Sequence, residues 1–416
     1  VFSMYAILAA FGTYFCMYAF RKPFTVATFE EYQFWGFHNF KIVLVLSQAL
    51  GYTLSKFIGI GLISSLSPGK RIWYLLAFIG MAQLALLGFA LVPPPFNTFM
   101  LFINGLPLGM IWGIVFSYLE GRKTSEVLGA GLSVSFIVSS GAVKSIGKYV
   151  MDAWGFNEQW MPFITGSIFI LPLLFFAFLL DQIPAPSQED QKARTQRPPM
   201  SRSEKVAFFR RFSAGIISLV IFYMLLTAFR DFRDNFMAEL WIALGYGESD
   251  EIFTQSELIV SLFVLLILGS MMLIRNNKKA FFIYHLIILF SVLLVALSTF
   301  LFEQKLMSPF IWMVMVGLGL YLAYVPFGCL LFDRMIAAFR SPANAAFLIY
   351  IADAFGYLGS IGILIYKDFG QPDLSWLAFF INTAYILSLV GLICLIFSFI
   401  YFYLKIQKIP DKTASF

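Results

Sequence analysis

Arg21, Lys22, Lys56, Lys144, Lys148, Arg230 and Arg233 stand inside long apolar stretches, and so do Asp231, Asp234 and Asp353. A charge at the centre of a hydrocarbon layer costs at least ~2.5–3.5 kcal/mol on insertion scales, so each is expected to face a cavity or a partner. Tyr14, Tyr18, Arg21 and Thr25 fall at i, i+4, i+7 and i+11, the spacing of one helical stripe, and Tyr223, Thr227, Arg230 and Asp234 repeat it. Two guanidinium forks flanked by phenol and hydroxyl donors suit a tetrahedral oxyanion, because each fork can bind two oxygens at once. The same residues also admit a purely structural reading. Arg230 and Asp234 are spaced for an intrahelical pair, and Arg233 is open to an acid on another helix. Lys144 and Lys148 repel at i, i+4, which calls for an anion or acid near them unless they snorkel to the surface.

The elements that position these groups follow from composition. The chain of 416 residues is 60% hydrophobic and 12% charged, with a mean hydropathy of +0.82. Soluble domains carry about 25% charged residues, so this chain is read as a membrane protein. Runs of about 20 apolar residues cross a ~30 Å layer as helices. Such runs lie near 3–30, 41–63, 73–92, 98–119, 127–150 and 160–181. A second set lies near 213–240, 255–274, 280–301, 309–332, 343–366 and 374–404. The first run is followed by no small-residue cleavage site, and it is expected to remain as a span. The expectation is an all-α membrane protein of twelve transmembrane helices in two pseudo-symmetric six-helix bundles. Its N-terminal bundle covers residues 1–181, a cytoplasmic linker 182–212, and the C-terminal bundle with a short tail 213–416.

With the amino terminus inside, most of the 29 lysines and arginines fall in the inner segments, among them "SPGKR", "EGRKTSE" and "RNNKK". The outer loops hold Lys41, Lys305 and Lys367, and are otherwise acidic or neutral, as in "GYGESDEIF". This asymmetry places both termini in the cytoplasm of a cell-membrane protein. The linker is rich in Pro, Gln, Ser and Arg and reads as a flexible or interfacial connection, a binding site for anionic lipid headgroups being the alternative.

The halves echo each other. "YFCMYAFRKPFTVATFE" lies on "YMLLTAFRDFRDNFMAE" without a gap, so that Tyr14 meets Tyr223, Arg21 meets Arg230 and Glu30 meets Glu239. "GLPLGMIWGIVFSYLEGR" at 105–122 lies on "GLGLYLAYVPFGCLLFDR" at 317–334, and "SIG" at 145–147 on "SIG" at 360–362. Six spans repeated in one orientation are the parallel repeat of the major facilitator superfamily, in which two bundles flank a central cavity. The repeat would then bring Arg21 and Arg230 to equivalent positions.

"YAFRKPF", "GYTLSKFIGIGLIS" and "GLPLGMIWG" together resemble the organophosphate:phosphate antiporter family of that superfamily, over roughly residues 10–145 and at Arg230. The resemblance implies that Arg21 and Arg230 bind phosphate, with Lys22 and Lys56 as the neighbouring cations. Departures are visible. The family's fifth-span His has no counterpart in "SVSFIVSSGAVKS", whose cations are lysines. "SSLSPGKR" replaces the inner-loop Asp-Arg signature, and Asn235, beside Asp234, stands where an acid is expected.

The functional expectation is a secondary carrier of a small anionic, phosphate-bearing solute, working by alternating access and in exchange for phosphate. Arg21, Arg230, Lys22, Lys56, Lys144, Tyr14, Tyr18 and Tyr223 are the candidate substrate residues. Asp231, Asp234, Asp353 and Arg233 are the candidate gating or coupling residues, the acids competing for the cations when the cavity is empty. One alternative is proton coupling through Asp353 in a carrier of another organic solute; another is a non-transporting membrane sensor of the same fold. The Cys and His residues are scattered, with no metal spacing, and no phosphate loop or nucleophile–base pair is present. No enzyme activity, cofactor, metal or nucleic-acid partner is therefore expected, and a monomer in membrane lipid is the expected functional form.

Overall fold

A computed structural model describes residues 2–65, 67–119, 125–184, 202–271, 273–274, 276–339 and 345–408. The middle of the expected linker, residues 120–124 and the last residues of the tail lie outside the described residues. Helix accounts for every apolar run. In chain order these are α1 (Phe2–Tyr18), α2 (Phe40–Ser65), α3 (Arg71–Leu91), α4 (Thr98–Ser117), α5 (Ser125–Asp152), α6 (Met161–Ile168) and α7 (Ile170–Asp181). The second set is α8 (Arg202–Asn235), α9 (Met237–Ala243), α10 (Ile252–Met271), α11 (Asn277–Glu303), α12 (Pro309–Cys329), α13 (Leu331–Ala338), α14 (Ala345–Ile365) and α15 (Trp376–Gln407).

Among the described residues, seven helices are long and apolar enough to cross a membrane: α3, α4, α8, α10, α11, α12 and α15. The pair α6 and α7, bent by 44° at Phe169, adds an eighth as one broken span. The first run differs from expectation. Instead of one helix through residue 30, α1 stops at Tyr18, and the chain turns through i→i+3 bonds to a short 3₁₀ turn, Pro23–Val26. Pro23 has no N–H to offer the carbonyl of Ala19, so the helical ladder cannot run on through it.

The break is satisfied from outside α1. The side-chain amide of Asn104 on α4 donates to the carbonyl of Phe20 at 2.9 Å, and that of Gln48 on α2 donates to the carbonyl of Arg21 at 3.0 Å. Gln48 also donates to Asn104 at 2.8 Å, and Asn104 to the carbonyl of Ala82 on α3 at 3.0 Å. Buried backbone carbonyls in lipid need such partners. The approach of α2 to α4 depends on glycine: a Cβ on Gly105 would lie 2.3 Å from the carbonyl oxygen of Gln48. "GLPLG" thus has the small-xxx-small spacing that lets membrane helices touch backbone to backbone.

By its contacts the chain forms two compact units. The first comprises Val1–Arg194, Phe232–Ser261 and Ile363–Phe379; the second comprises Thr195–Asp231, Leu262–Gly362 and Phe380–Phe416. The division passes through α8, α10, α14 and α15 rather than following the halves of the sequence.

Candidate functional site

The polar residues of the first unit form two groups. In one, the Arg21 guanidinium lies 4.0 Å from the ring centre of Tyr52 and 5.9 Å from that of Tyr18. The Lys56 ammonium lies 5.4 Å from the same Tyr52 ring. Tyr14 packs edge-on against Tyr18 at 5.6 Å and against Trp112 of α4 at 5.1 Å. Because α1 ends at Tyr18, Arg21 and Thr25 do not continue the Tyr14–Tyr18 helical stripe. Arg21 nevertheless remains beside Tyr18, since its own N–H bonds back to that residue's carbonyl at 3.0 Å. Tyr52, which the sequence did not single out, is the ring that holds both cations.

The second group is an ionic network at the end of α8. Asp234 is its centre: Lys22 approaches one carboxylate oxygen at 2.5 Å and Lys144 the other at 2.6 Å, where Ser140 also donates at 2.5 Å. Lys22 donates besides to the side-chain carbonyl of Asn235 at 2.8 Å. Lys144 is therefore a buried partner of an acid rather than a snorkelling residue. Lys41, placed by sequence in an outer loop, is fully buried at the start of α2 and donates to both oxygens of Glu239 at 2.6 and 2.8 Å, and to the carbonyl of Thr25 at 2.7 Å. Arg233 pairs with Glu257 of α10 at 2.7 Å, each side chain only 1% exposed. Ser145 accepts from the hydroxyl of Thr254 at 2.8 Å, tying α5 to α10 beside this pair.

At the end of α5, Lys148 pairs with Asp152 and lies 3.5 Å from Asp250. Burial pushes the Asp250 carboxyl up, against the pull of Lys148. Farther along the first unit, Asp368 takes the backbone N–H groups of His38 and Asn39 on its two oxygens at 3.0 and 2.9 Å, closing the turn that leads into α2.

In the second unit, Arg230 pairs with its neighbour Asp231, not with Asp234 one turn on. Its guanidinium stacks 3.9 Å from the ring centre of Tyr324 on α12, and Tyr324 stacks on Tyr223 at 5.4 Å. Tyr223 donates its hydroxyl to Asp353 of α14 at 2.9 Å, and Ser360 donates to Asp231 at 2.6 Å. Tyr14 with Trp112 in the first unit and Tyr223 with Tyr324 in the second are the positions matched by the sequence echo. Each unit therefore has an aromatic pair at these matched positions, edge-on for Tyr14 with Trp112 and stacked for Tyr223 with Tyr324. Among the described residues, no group of three or more His, Cys, Asp or Glu is placed to hold a metal ion.

A family model described as "Family of unknown function (DUF5690)" matches residues 23–405. The chain belongs to this family. No curated protein matches it. Solved structures do. A bacterial homologue of the human drug peptide transporters PepT1 and PepT2 superposes with a TM-score of 0.63 at 11% identity, covering 98% of each chain. A bacterial homologue of the human lysosomal transporter Spinster, inward-facing and unoccupied, gives 0.62 at 14% over 99% of each chain. The xylose transporter XylE from E. coli gives 0.59 at 14%, over 100% of this chain and 98% of that one. The fold is that of the major facilitator superfamily, all-α and multi-pass. The narrower likeness to organophosphate:phosphate antiporters rests on the motifs alone, since the family matched is a different one.

Proposed function

We propose that the protein is a secondary transporter for a small anionic solute, working by alternating access in the cell membrane with both termini cytoplasmic. Residues 1–181 and 213–416 would be the two transporting halves, joined by 182–212, and the monomer in membrane lipid would suffice. The observation that carries this reading is the repeated arginine. Arg21 stacks on Tyr52 and Arg230 on Tyr324, at echoed positions that place a permanent cation in an apolar span of each half. A guanidinium is a planar fork that recognises carboxylate or phosphate oxygens in pairs.

Arg21 and Arg230 are thus the anion-binding residues, with Lys22, Lys56, Lys144, Tyr14, Tyr18 and Tyr223 tuning charge and fit. Asp231 on Arg230 and Asp234 on Lys22 and Lys144 are carboxylates that occupy cations a solute could claim. A solute that displaced them would bind one conformation better than another, the condition for exchange. Phosphate and its organic esters are the first candidates, because their oxygens match the forks. The hydrogen bond from Tyr223 to Asp353 favours one second reading, in which Asp353 takes and releases a coupling proton.

Counterflow in proteoliposomes tests the proposal. Vesicles loaded with unlabelled phosphate should accumulate labelled phosphate above protein-free controls, and organic phosphates or carboxylates outside should compete. Uptake that needs a pH gradient and no internal solute would favour the Asp353 reading. A protein that binds these anions yet moves none of them under either condition would be a sensor, and the transport reading would fall.

A further inference from the structure

The end of the second unit that carries the tail is built over aromatic rings. Phe212 of α8 is fully buried, with ring centres of Phe208 at 5.0 Å, Phe339 at 4.9 Å and Phe402 of α15 at 6.4 Å. One turn further along, α8 and α15 approach closely: a Cβ on Gly215 would lie 2.5 Å from the Phe402 ring and 2.6 Å from that of Tyr401. Two cations stand on this floor. The Arg211 guanidinium lies 5.2 Å from the Phe212 ring centre, and the Lys405 ammonium lies 5.1 Å from the same ring. Lys405 is fixed there by donating to the carbonyl of Arg211 and, at 2.7 Å, to the Tyr401 hydroxyl, which itself donates to that carbonyl at 3.2 Å. Each helix leads to these cations along an exposed apolar stripe. On α8, Arg210, Ile217 and Ile221 fall at i, i+7 and i+11. On α15, Phe397, Ile400 and Leu404 fall at i, i+3 and i+7, and Lys408, just past its end, at i+11. Among the described residues, no carboxylate pairs with Arg210, Arg211, Lys405 or Lys408.

We propose that the cleft between α8 and α15 at this end binds an anionic phospholipid, with Arg211 and Lys405 on its phosphate and the two apolar stripes under its acyl chains. A guanidinium fork and an ammonium side by side match the oxygens of a phosphodiester. Basic clefts between membrane helices take anionic headgroups in this way. The stripes decide for a lipid over a soluble phosphate compound. They are aliphatic and aromatic surface that acyl chains would cover, and they end in Arg210 and Lys408, the pattern of helices passing from hydrocarbon to headgroups. Bound there, the lipid would bridge the beginning of α8 and the end of α15. The site lies wholly within the second unit, and it does not depend on which solute the protein carries.

Native mass spectrometry of the full-length protein in detergent tests this. The protein is titrated with dioleoylphosphatidylglycerol and, separately, with dioleoylphosphatidylcholine, which has the same chains and phosphodiester but a choline that neutralises it. The anionic lipid should bind about tenfold more tightly, and Arg211→Gln and Lys405→Gln should each weaken it about fivefold. Lys405→Arg, which keeps the charge, should retain the preference. Lys70→Gln, at an exposed lysine of the first unit, should leave it unchanged. Glycerol 3-phosphate at the same concentration should not displace the lipid. Equal binding of the two lipids would overturn the site, as would a loss at Lys70 as large as at Arg211 and Lys405. Displacement by glycerol 3-phosphate would assign the cations to a soluble phosphate compound and overturn the lipid. If Lys405→Gln does not fold, Arg211→Gln combined with Arg210→Gln carries the test, both side chains being exposed. An undiminished preference in that protein would refute the site.

Discussion

Arg21 and Arg230 hold matching positions in the echo of the two halves, yet their surroundings differ in charge. Arg21 shares the Tyr52 ring with a second cation, Lys56, whereas Arg230 shares its ring neighbourhood with Asp231 and Asp353. Each arginine stacks on a tyrosine, but on different spans: Tyr52 lies on α2, whereas Tyr324 lies on α12 at the position echoed by Trp112. The charges beside the two arginines differ as well. The polar load also differs. The first unit buries ion pairs around Asp234, Glu239 and Glu257, while in the second Asp231 pairs with Arg230 and takes the Ser360 hydroxyl, and Asp353 takes that of Tyr223.

The largest expected contrast is in stability. Removing one member of a fully buried pair strands its partner and typically costs ~3–5 kcal/mol, whereas replacing both by apolar residues is often close to neutral. Arg233→Leu should therefore lower the melting temperature of the detergent-solubilised protein sharply, and the double substitution with Glu257→Leu should restore most of it. Asp353→Asn, at a half-buried acceptor that still receives the Tyr223 hydroxyl, should shift melting by far less. Equal losses at the two sites would erase the distinction between the units.

Next in size is recognition. Lysine keeps the charge of arginine but not the planar fork. Arg21→Lys and Arg230→Lys should each weaken binding of the best anionic ligand about tenfold or more, at ~1.5–3 kcal/mol per lost charge-assisted bond. The protein should remain inserted and monodisperse. A well-folded Arg21→Lys protein with normal affinity would reduce Arg21 to an ordinary structural cation, and would leave Arg230 alone as the ligand residue.

How far this was legible in sequence depends on what each feature requires. The apolar runs were visible, because hydropathy acts locally, but the first was expected to run as one helix to residue 30, whereas α1 stops at Tyr18. The pairing of Arg233 with an acid on another helix was anticipated in kind, but Glu257 was not identified, since "TQSELIV" reads as the apolar start of a span. Lys41 read as a loop residue because it opens its run. Its burial follows from Glu239, which is distant in sequence and was noticed only as the echo of Glu30. The choice of Asp231 over Asp234 by Arg230 was not legible either: Asp234 is taken by Lys22 and Lys144, and competition among helices leaves no periodicity. Tyr52 was missed for the same reason, as its role depends on where α1 breaks.

The smallest effect concerns the shared stacking. Tyr52→Leu and Tyr324→Leu each remove a cation–π contact worth ~0.5–2 kcal/mol, so each should weaken anion affinity by a few-fold and by similar factors. A loss confined to Tyr52→Leu would mean that only one of the echoed arginines meets the solute.

The interrupted first span has a consequence for modularity. Its two open carbonyls, at Phe20 and Arg21, are closed by Asn104 and Gln48, and Asn104 is itself anchored to Ala82. The cation-bearing bend is therefore not a property of its own sequence: "YAFRKPF" grafted into a foreign bundle would bring the charges without the amides, leaving bare backbone oxygens in lipid. Chimeras that exchange this span alone should fail in the membrane, and those that carry spans one, two and four as a set should succeed. Gln48 and Asn104 are accordingly parts of the bend, which they meet at its backbone carbonyls.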